Sequence, residues 1–351
     1  MEPYIYYWFI LIAVMITVYI VVGGTHLGYG LWYLFAPHRE RDCYLNAVSP
    51  HIIGSELWIL MAGSALYIMF SSVYRIVVVG FYPVVILLVI FMVFRFIVMT
   101  LRNVSSIILW QSFWDVSIAL STLIPMFLKG LIVGYILKGI PLYSVGRFNV
   151  NLLGYLDHYT IVTGFLAVFA SATMSCSVIA RNSDGIAQIN ARKWAFYSSL
   201  MVCVLFFDLS IWSLIVSPYI SANIRSNPYL FAVPGGVFIA AVSLPFLIGK
   251  RRYLSAYVIS VLVVIGLSIL FFISIYPHLK TIFFENATSD LDTLLGVHDT
   301  GNTAIDLEKK LLPVYIGLMA LTTVIQISIV RHYRQRAHCP LPYDKDDDNL
   351  F

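Results

Sequence analysis

The sequence predicts an all-α, polytopic membrane protein with about nine transmembrane helices, which we expect to form two four-helix bundles plus one helix. The chain is 60% hydrophobic and only 11% charged, with a mean hydropathy of +0.86. Such a composition is typical of integral membrane proteins rather than of soluble domains. Its apolar runs are long and contain Gly and Pro, which fits spanning helices better than the alternating strands of a β-barrel.

Nine apolar stretches approach the length of about 20 residues that a helix needs to cross about 30 Å of hydrocarbon. They are 5–22, 52–70, 77–99, 113–135, 160–180, 196–216, 230–248, 254–276 and 311–330. We therefore expect one membrane domain over residues 1–335 and an acidic cytoplasmic tail over 336–351. The first stretch begins almost at residue 1 and no small-residue cleavage site follows it, which predicts an uncleaved span.

The distribution of basic residues predicts the orientation of the chain. If the N-terminus lies outside, the inward loops and the C-terminal tail carry most of the Lys and Arg residues, so we expect the C-terminus in the cytoplasm. The net charge of +4 does not predict a nucleic-acid partner, because the basic residues are spread over short loops. The four Cys residues show no C-x-x-C spacing, so neither a disulfide framework nor an iron–sulfur or zinc site is predicted.

Five ionisable side chains fall inside the predicted spans. Each costs about 2.5–3.5 kcal/mol at the centre of a bilayer, and more if it is unpaired, so such groups usually face protein or water and have a task. Asp115 and Lys129 are too far apart along one helix, about 21 Å, to pair with each other. Pairing of Lys129 with Asp208 remains open. The five residues are Glu56, Arg95, Asp115, Lys129 and Asp208.

Several of these positions allow two interpretations. Arg95 lies near the inner end of the third stretch and either reaches the cytoplasmic surface or faces the interior. His26, between Gly24 and Gly28 on a face of small residues, is either a hydrogen-bonded packing residue or a proton or ligand site. The other candidate histidine, His51, lies at a span boundary. Because few His residues lie inside spans, we expect no haem, metal or other cofactor site and no catalytic residue in this chain.

The loops carry weaker signals. Residues 36–49 are predicted to be a short polar loop, and residues 277–310 the one long connection. Within that connection, Asn302 or Thr303 could cap the start of a helix. No P-loop and no Rossmann glycine string is present, which excludes those nucleotide sites.

Three segments, taken in order, resemble subunit II of the cytochrome bd-type quinol oxidases. The second span matches a motif that begins with Asn, contains Pro-His and ends near Trp. The third span matches Gly-Phe-Tyr at its start and an Arg at its end. The fourth span matches Trp-Asp, then Ser, Pro and Gly-x-x-x-Gly. The matching residues are Asn46, Pro50, His51, Gly54, Glu56 and Trp58; Gly80, Phe81, Tyr82 and Arg95; and Trp114, Asp115, Ser121, Pro125, Gly130, Gly134, Leu137, Gly139 and Pro141. The resemblance runs from about residue 15 to 330.

This resemblance implies a haem-free subunit that forms a heterodimer with a subunit I. That partner carries the b-type and d-type haems and the quinol site, and the complex oxidises quinol, reduces dioxygen to water and takes up cytoplasmic protons. Small accessory subunits and membrane lipid are further implied partners, and the inner cell membrane is the implied location. The candidate proton or gas path comprises Glu56, Trp58, His51, His26, Arg95 and Asp115, while Lys129 and Asp208 lie outside the family pattern.

The sequence departs from the family at the acids that would carry protons. Ile53 stands where the family has an acid after Pro-His, and Thr100 replaces a downstream acid. Glu56 follows Ile53 by three residues, so the two share a helical face and Glu56 could substitute. The alternative function is a secondary transporter whose buried charges bind a substrate or an ion. Inverted repeats would favour it, but no repeat is evident.

Overall fold

The structure is a computed structural model that describes residues 3–48, 55–102, 104, 107–138, 156–216, 228–280 and 303–334. The described chain is helical. Its helices are α1 (Pro3–Leu27), α2 (Gly30–Tyr33), α3 (His38–Val48), α4 (Ser55–Met69), α5 (Ser71–Gly80), α6 (Tyr82–Arg102), α7 (Ile108–Lys138), α8 (His158–Asn182), α9 (Gly185–Val216), α10 (Ala232–Gly249), α11 (Tyr253–Lys280) and α12 (Thr303–Arg334), with a 3-10 turn at Pro228–Phe231.

The predicted membrane fold is confirmed, and the spans differ from prediction mainly in length. Eight described helices are long and apolar enough to cross a bilayer, and α4, at 15 residues, is a shorter apolar helix in the place of the second predicted span. Helix α12 begins at Thr303, as the cap signal predicts. His51, Pro50 and the tail 336–351 lie outside the described residues.

Two local expectations were wrong. The third span does not begin at residue 77, because the chain turns at Phe81 between α5 and α6 and Pro83 then stands in the first turn of α6. Proline suits a first turn, where a backbone N–H has no partner to lose. The predicted polar loop after the first span instead contains α3, whose residues form contacts described below.

The long helices fall into two groups. Helices α8, α9, α10 and α11 form a closed four-helix bundle, in which each helix packs on its neighbours around the ring. The first group comprises α1, α4, α6 and α7, which pair as α1 with α4 and α6 with α7. Helix α12 makes its main contacts with α1 and α4 and joins neither group of four, so it is the additional helix.

Helix α8 joins the two groups, because it contacts α1, α7, α9 and α11. Its faces carry small residues, which let neighbouring backbones approach closely. A Cβ added at Gly28 would lie 2.0 Å from the backbone oxygen of Ser171, and one at Gly134 would lie 2.0 Å from Thr163 Oγ1. The glycine faces that the sequence singled out are therefore where the first group meets α8.

Candidate functional site

The buried charges of the first group lie in two clusters, one of which also includes side chains from α2 and α3. We call them the Asp115 cluster (Tyr33, Arg41, Arg102 and Asp115) and the Glu56 cluster (Tyr19, Glu56, Arg95 and Lys129). They differ in one physical respect, since the first is closed by short ion pairs and the second is not.

In the Asp115 cluster, one carboxylate is surrounded by donors from three other helices. Asp115 is fully buried; its Oδ1 accepts hydrogen bonds from Arg102 Nε at 2.6 Å and from Tyr33 Oη at 2.8 Å, and its Oδ2 accepts one from Arg41 Nη1 at 2.7 Å. Arg102 Nη1 also donates to Asp42 at 2.6 Å. Each buried charge thus has an opposite charge at hydrogen-bonding distance, which buried ions require.

A neighbouring contact fixes α3 against α9. Tyr44 Oη donates to Glu40 Oε2 at 2.5 Å, and Asn190 Nδ2 donates to the same carboxylate at 3.2 Å. Burial and the hydrogen bond to Glu40 raise the pKa of Tyr44 above its ordinary value, so it remains a donor. Polar contacts thus hold α3 in place, because this helix has few apolar side chains with which to pack.

In the Glu56 cluster, each helix of the first group contributes one polar side chain to a shared interior. The Lys129 Nζ lies 4.5 Å from the centroid of the Tyr19 ring, in a cation–π arrangement. The charge of Glu56 acts on Tyr19, Arg95 and Lys129. In the described part of the chain, however, no carboxylate lies within 4 Å of Lys129 or Arg95.

Several polar atoms of this cluster are buried without a hydrogen-bond partner among the described residues. They are Tyr19 Oη, Glu56 Oε2, Arg95 Nε and Arg95 Nη2. The other carboxylate oxygen, Glu56 Oε1, has only a long contact of 3.4 Å from Ser55 Oγ. Unsatisfied buried polar groups cost about 1–3 kcal/mol each, and more when charged, so a native protein keeps them for a reason.

Trp58 lies next to this cluster and is fixed by a partner on α12. It is 2% exposed, and its Nε1 donates to Gln326 Oε1 at 3.2 Å. Tyr315, also on α12, lies 2.9 Å from Ser64 Oγ and packs edge-on against Trp8. These contacts attach α12 to α1 and α4 and hold the Trp58 ring in one orientation.

Arg95 belongs to the Glu56 cluster, whereas the candidates His26 and Asp208 lie in neither cluster. His26 is fully buried in α1, and its Nδ1 lies 3.0 Å from the Val22 carbonyl oxygen, a contact that suits the packing interpretation. Arg95 is 6% exposed and does not reach the surface of the chain, so the interior interpretation is the correct one. Asp208 does not pair with Lys129; its Oδ2 lies 3.3 Å from His158 Nε2 on a half-exposed face.

Sequence reasoning missed several members of these clusters. Arg41 and Arg102 belong to the basic residues that predict the inward side, and no spacing in the sequence links either of them to Asp115. Gln326 stands alone as an amide in an apolar run, which in a spanning helix often marks a contact with another helix. Nothing in the sequence indicated Tyr19, because tyrosine is common near the ends of spanning helices and does not by itself predict a buried polar contact.

Among the residues that the structure describes, no group of three or more His, Cys, Asp or Glu side chains is placed to hold a metal ion. The expectation that this chain holds no metal or haem stays a prediction, since part of the chain lies outside that description.

Comparison with known proteins places these features in a family context. The sequence model described as cytochrome bd terminal oxidase subunit II matches residues 4–297. The chain is 25% identical over 211 residues to cytochrome bd-I ubiquinol oxidase subunit 2 of Escherichia coli K12, an alignment that covers 58% of this chain and 56% of that protein. It is 24% identical over 190 residues to cytochrome bd ubiquinol oxidase subunit 2 of Bacillus subtilis, covering 54% of this chain and 56% of the relative. The aligned part thus spans a little over half the length of these curated relatives.

A solved structure has the same fold. One chain in the structure of the bd oxidase from Geobacillus thermodenitrificans superposes with a TM-score of 0.59 at 14% sequence identity. The match covers 92% of this chain and 98% of that chain. The helix arrangement is therefore shared over almost the whole length, although few residues are.

Replacing Asp115 with Asn tests the Asp115 cluster. The neutral amide would remove the counter-charge of Arg41 and leave Arg102 with the exposed Asp42 as its one remaining carboxylate among the described residues, and breaking a buried pair costs about 3–5 kcal/mol. We expect a clearly lower thermal unfolding midpoint of the purified protein, measured by tryptophan fluorescence.

The matched control is Asp157→Asn, which removes the exposed ion pair with Lys138 at the start of α8. Exposed pairs contribute at most about 1 kcal/mol, so this variant should unfold close to the wild type. Equal midpoints for the two variants would contradict the assigned role of Asp115.

Proposed function

We infer that this chain, which belongs to the cytochrome bd terminal oxidase subunit II family, is the haem-free subunit of a bd-type quinol oxidase in the inner cell membrane. The complex would oxidise quinol and reduce dioxygen to water in the respiratory chain. The family match over residues 4–297 is the observation that carries this inference. The transporter alternative is not favoured, because the sequence and fold comparisons both lead to bd oxidases.

The partner we propose is a subunit I that carries the b-type and d-type haems and the quinol site. Helices α6 and α12 support an association of this kind, since both expose many apolar side chains on the isolated chain, such as Val93, Phe96 and Leu321. Apolar surface of this extent is covered in the membrane either by lipid or by another subunit. Small accessory subunits could cover part of it.

The two-chain requirement gives the direct test of function. Oxygen uptake driven by quinol should be fast in membranes that contain this chain together with its subunit I, and should be lost when this chain is omitted. Full activity without this chain would refute the inference, and a haem spectrum from the isolated chain would refute the assignment of the haems to the partner.

Within the complex, we propose that Glu56 carries protons toward the partner. Its Oε2 is buried and has no hydrogen-bond partner among the described residues, so the carboxyl can exchange a proton without breaking a contact there. It lies in the first turn of α4, on the side that would face the cytoplasm. A carboxyl near the proton source fits the departure of this sequence from the family at Ile53 and Thr100.

A Glu56→Gln substitution tests this role. The amide has nearly the same shape but cannot carry a proton, so we expect at least about a tenfold loss of quinol-driven oxygen uptake. Glu56→Asp should keep much of the activity and shift its dependence on pH.

Glu40→Gln is the control, because it removes a buried carboxyl of α3 that is already bound by Tyr44 and Asn190. A Glu56→Gln enzyme with wild-type turnover across the pH range would leave Glu56 with a structural role only.

We also propose that the N-terminus lies outside and the C-terminus in the cytoplasm, as the basic residues of the loops indicate. Alkaline phosphatase fused to the C-terminus, which is active only outside the cytoplasm, should then be inactive. An active fusion would reverse the topology, and with it the side from which Glu56 draws protons.

A further inference from the structure

A cavity of about 500 Å³ lies where the two helix groups meet. Its walls come from α1, α7, α8, α9, α10 and α11, and most of the surface is apolar. This volume is within the range of about 300–1,000 Å³ that is usual for small-molecule sites. Gly23 contributes to the wall, and a Cβ added there would meet nothing closer than Tyr19 Cε2 at 3.9 Å, so α1 leaves open space at this point.

The polar groups of the cavity are concentrated at one place. Among the described residues that line it, Lys129 alone carries a charge. The serine hydroxyls of the wall mostly donate to their own helices, as Ser210 does to Phe206 O at 2.7 Å and Ser268 to Val264 O at 3.0 Å. The donor that the cavity offers to a bound molecule is therefore the Lys129 ammonium.

The charges around this point do not balance. The Glu56 cluster contains the two basic side chains Lys129 and Arg95 and one carboxyl, Glu56, and no described carboxylate lies within 4 Å of either basic group. A buried positive excess is costly unless an anion compensates it. The cavity thus joins an apolar chamber to a site that favours one negative charge.

We propose that this cavity binds a long-chain carboxylic acid as its anion, with the head group on Lys129 and the hydrocarbon chain between α8, α9 and α11. A carboxylate carries one negative charge, which matches the single ammonium group in the wall. A phosphate head would carry more charge and more acceptors than this one ammonium group can satisfy. Such binding is independent of the oxidase function, because none of the steps above requires quinol or oxygen.

The first experiment identifies the bound lipid. The complex is purified in detergent with its partner, extracted with organic solvent and assayed by mass spectrometry. We expect close to one long-chain carboxylic acid per chain in the wild type, and at least about tenfold less in Lys129→Met, because a charge-assisted hydrogen bond is lost. Lys138→Met removes a lysine from the same helix, but one that pairs with Asp157 outside the cavity, and should retain the acid.

The second experiment uses the wild type and does not depend on the folding of a lysine variant. The lipid-depleted complex is titrated with palmitate and with methyl palmitate, which has the same chain and no charge. Palmitate should bind at least about tenfold more tightly. Gly23→Leu, which fills the open space beside α1 and leaves Lys129 in place, should weaken palmitate binding.

Three results would overturn the proposal: equal binding of the acid and the ester, retention of the acid by Lys129→Met, or extraction of a phospholipid or a neutral lipid in place of the acid.

Discussion

The fold depends on how the charges buried among apolar helices are compensated, and the Asp115 cluster compensates them most completely. Three donors on α2, α3 and α6 converge on one carboxylate of α7, each at 2.6–2.8 Å. Because Asp115 is fully buried and pairs with both Arg41 and Arg102, the arrangement that brings these helices together is favoured over those that leave the carboxylate unpaired. This explains why α3, a helix of low hydrophobicity, has a defined place beside the membrane helices, and why the ends of α6 and α7 are fixed relative to each other.

The Glu56 cluster follows a different rule. Its helices supply two cations, one carboxyl and a tyrosine hydroxyl, yet within the described residues no ion pair closes between them. The difference is informative because the two clusters share α6 and α7, each of which contributes one side chain to both clusters. In the Asp115 cluster the charged side chains pair directly, as Arg102 does with Asp115, and these pairs stabilise the fold. In the Glu56 cluster the polar groups form no such pairs, so they remain able to exchange a proton or to bind an anion. We propose the first role for Glu56 and the second for Lys129.

Much of the fold could be predicted from the sequence, since apolar length alone locates spanning helices. The glycine faces were also predictable, because Gly24, Gly28, Gly130 and Gly134 recur at helical spacing. The break at Phe81 was not, because a turn between two apolar helices leaves the hydropathy pattern continuous. The partners of Asp115 were likewise hidden: Arg41 and Arg102 lie 74 and 13 residues away in the chain, and nothing in spacing indicates which of many basic residues will meet a given carboxylate.

Family membership and the chemistry of the interior rest on different observations. Family membership rests on the sequence match, and at 14% identity the shared fold carries helix positions rather than side chains. Side-chain chemistry must then be argued from this chain alone. The resemblance implies acids at the positions of Ile53 and Thr100, and Lys129 lies outside its pattern. Of the four side chains in the Glu56 cluster, Glu56 alone is a carboxyl, so in the function proposed above a proton that crosses this cluster would use Glu56.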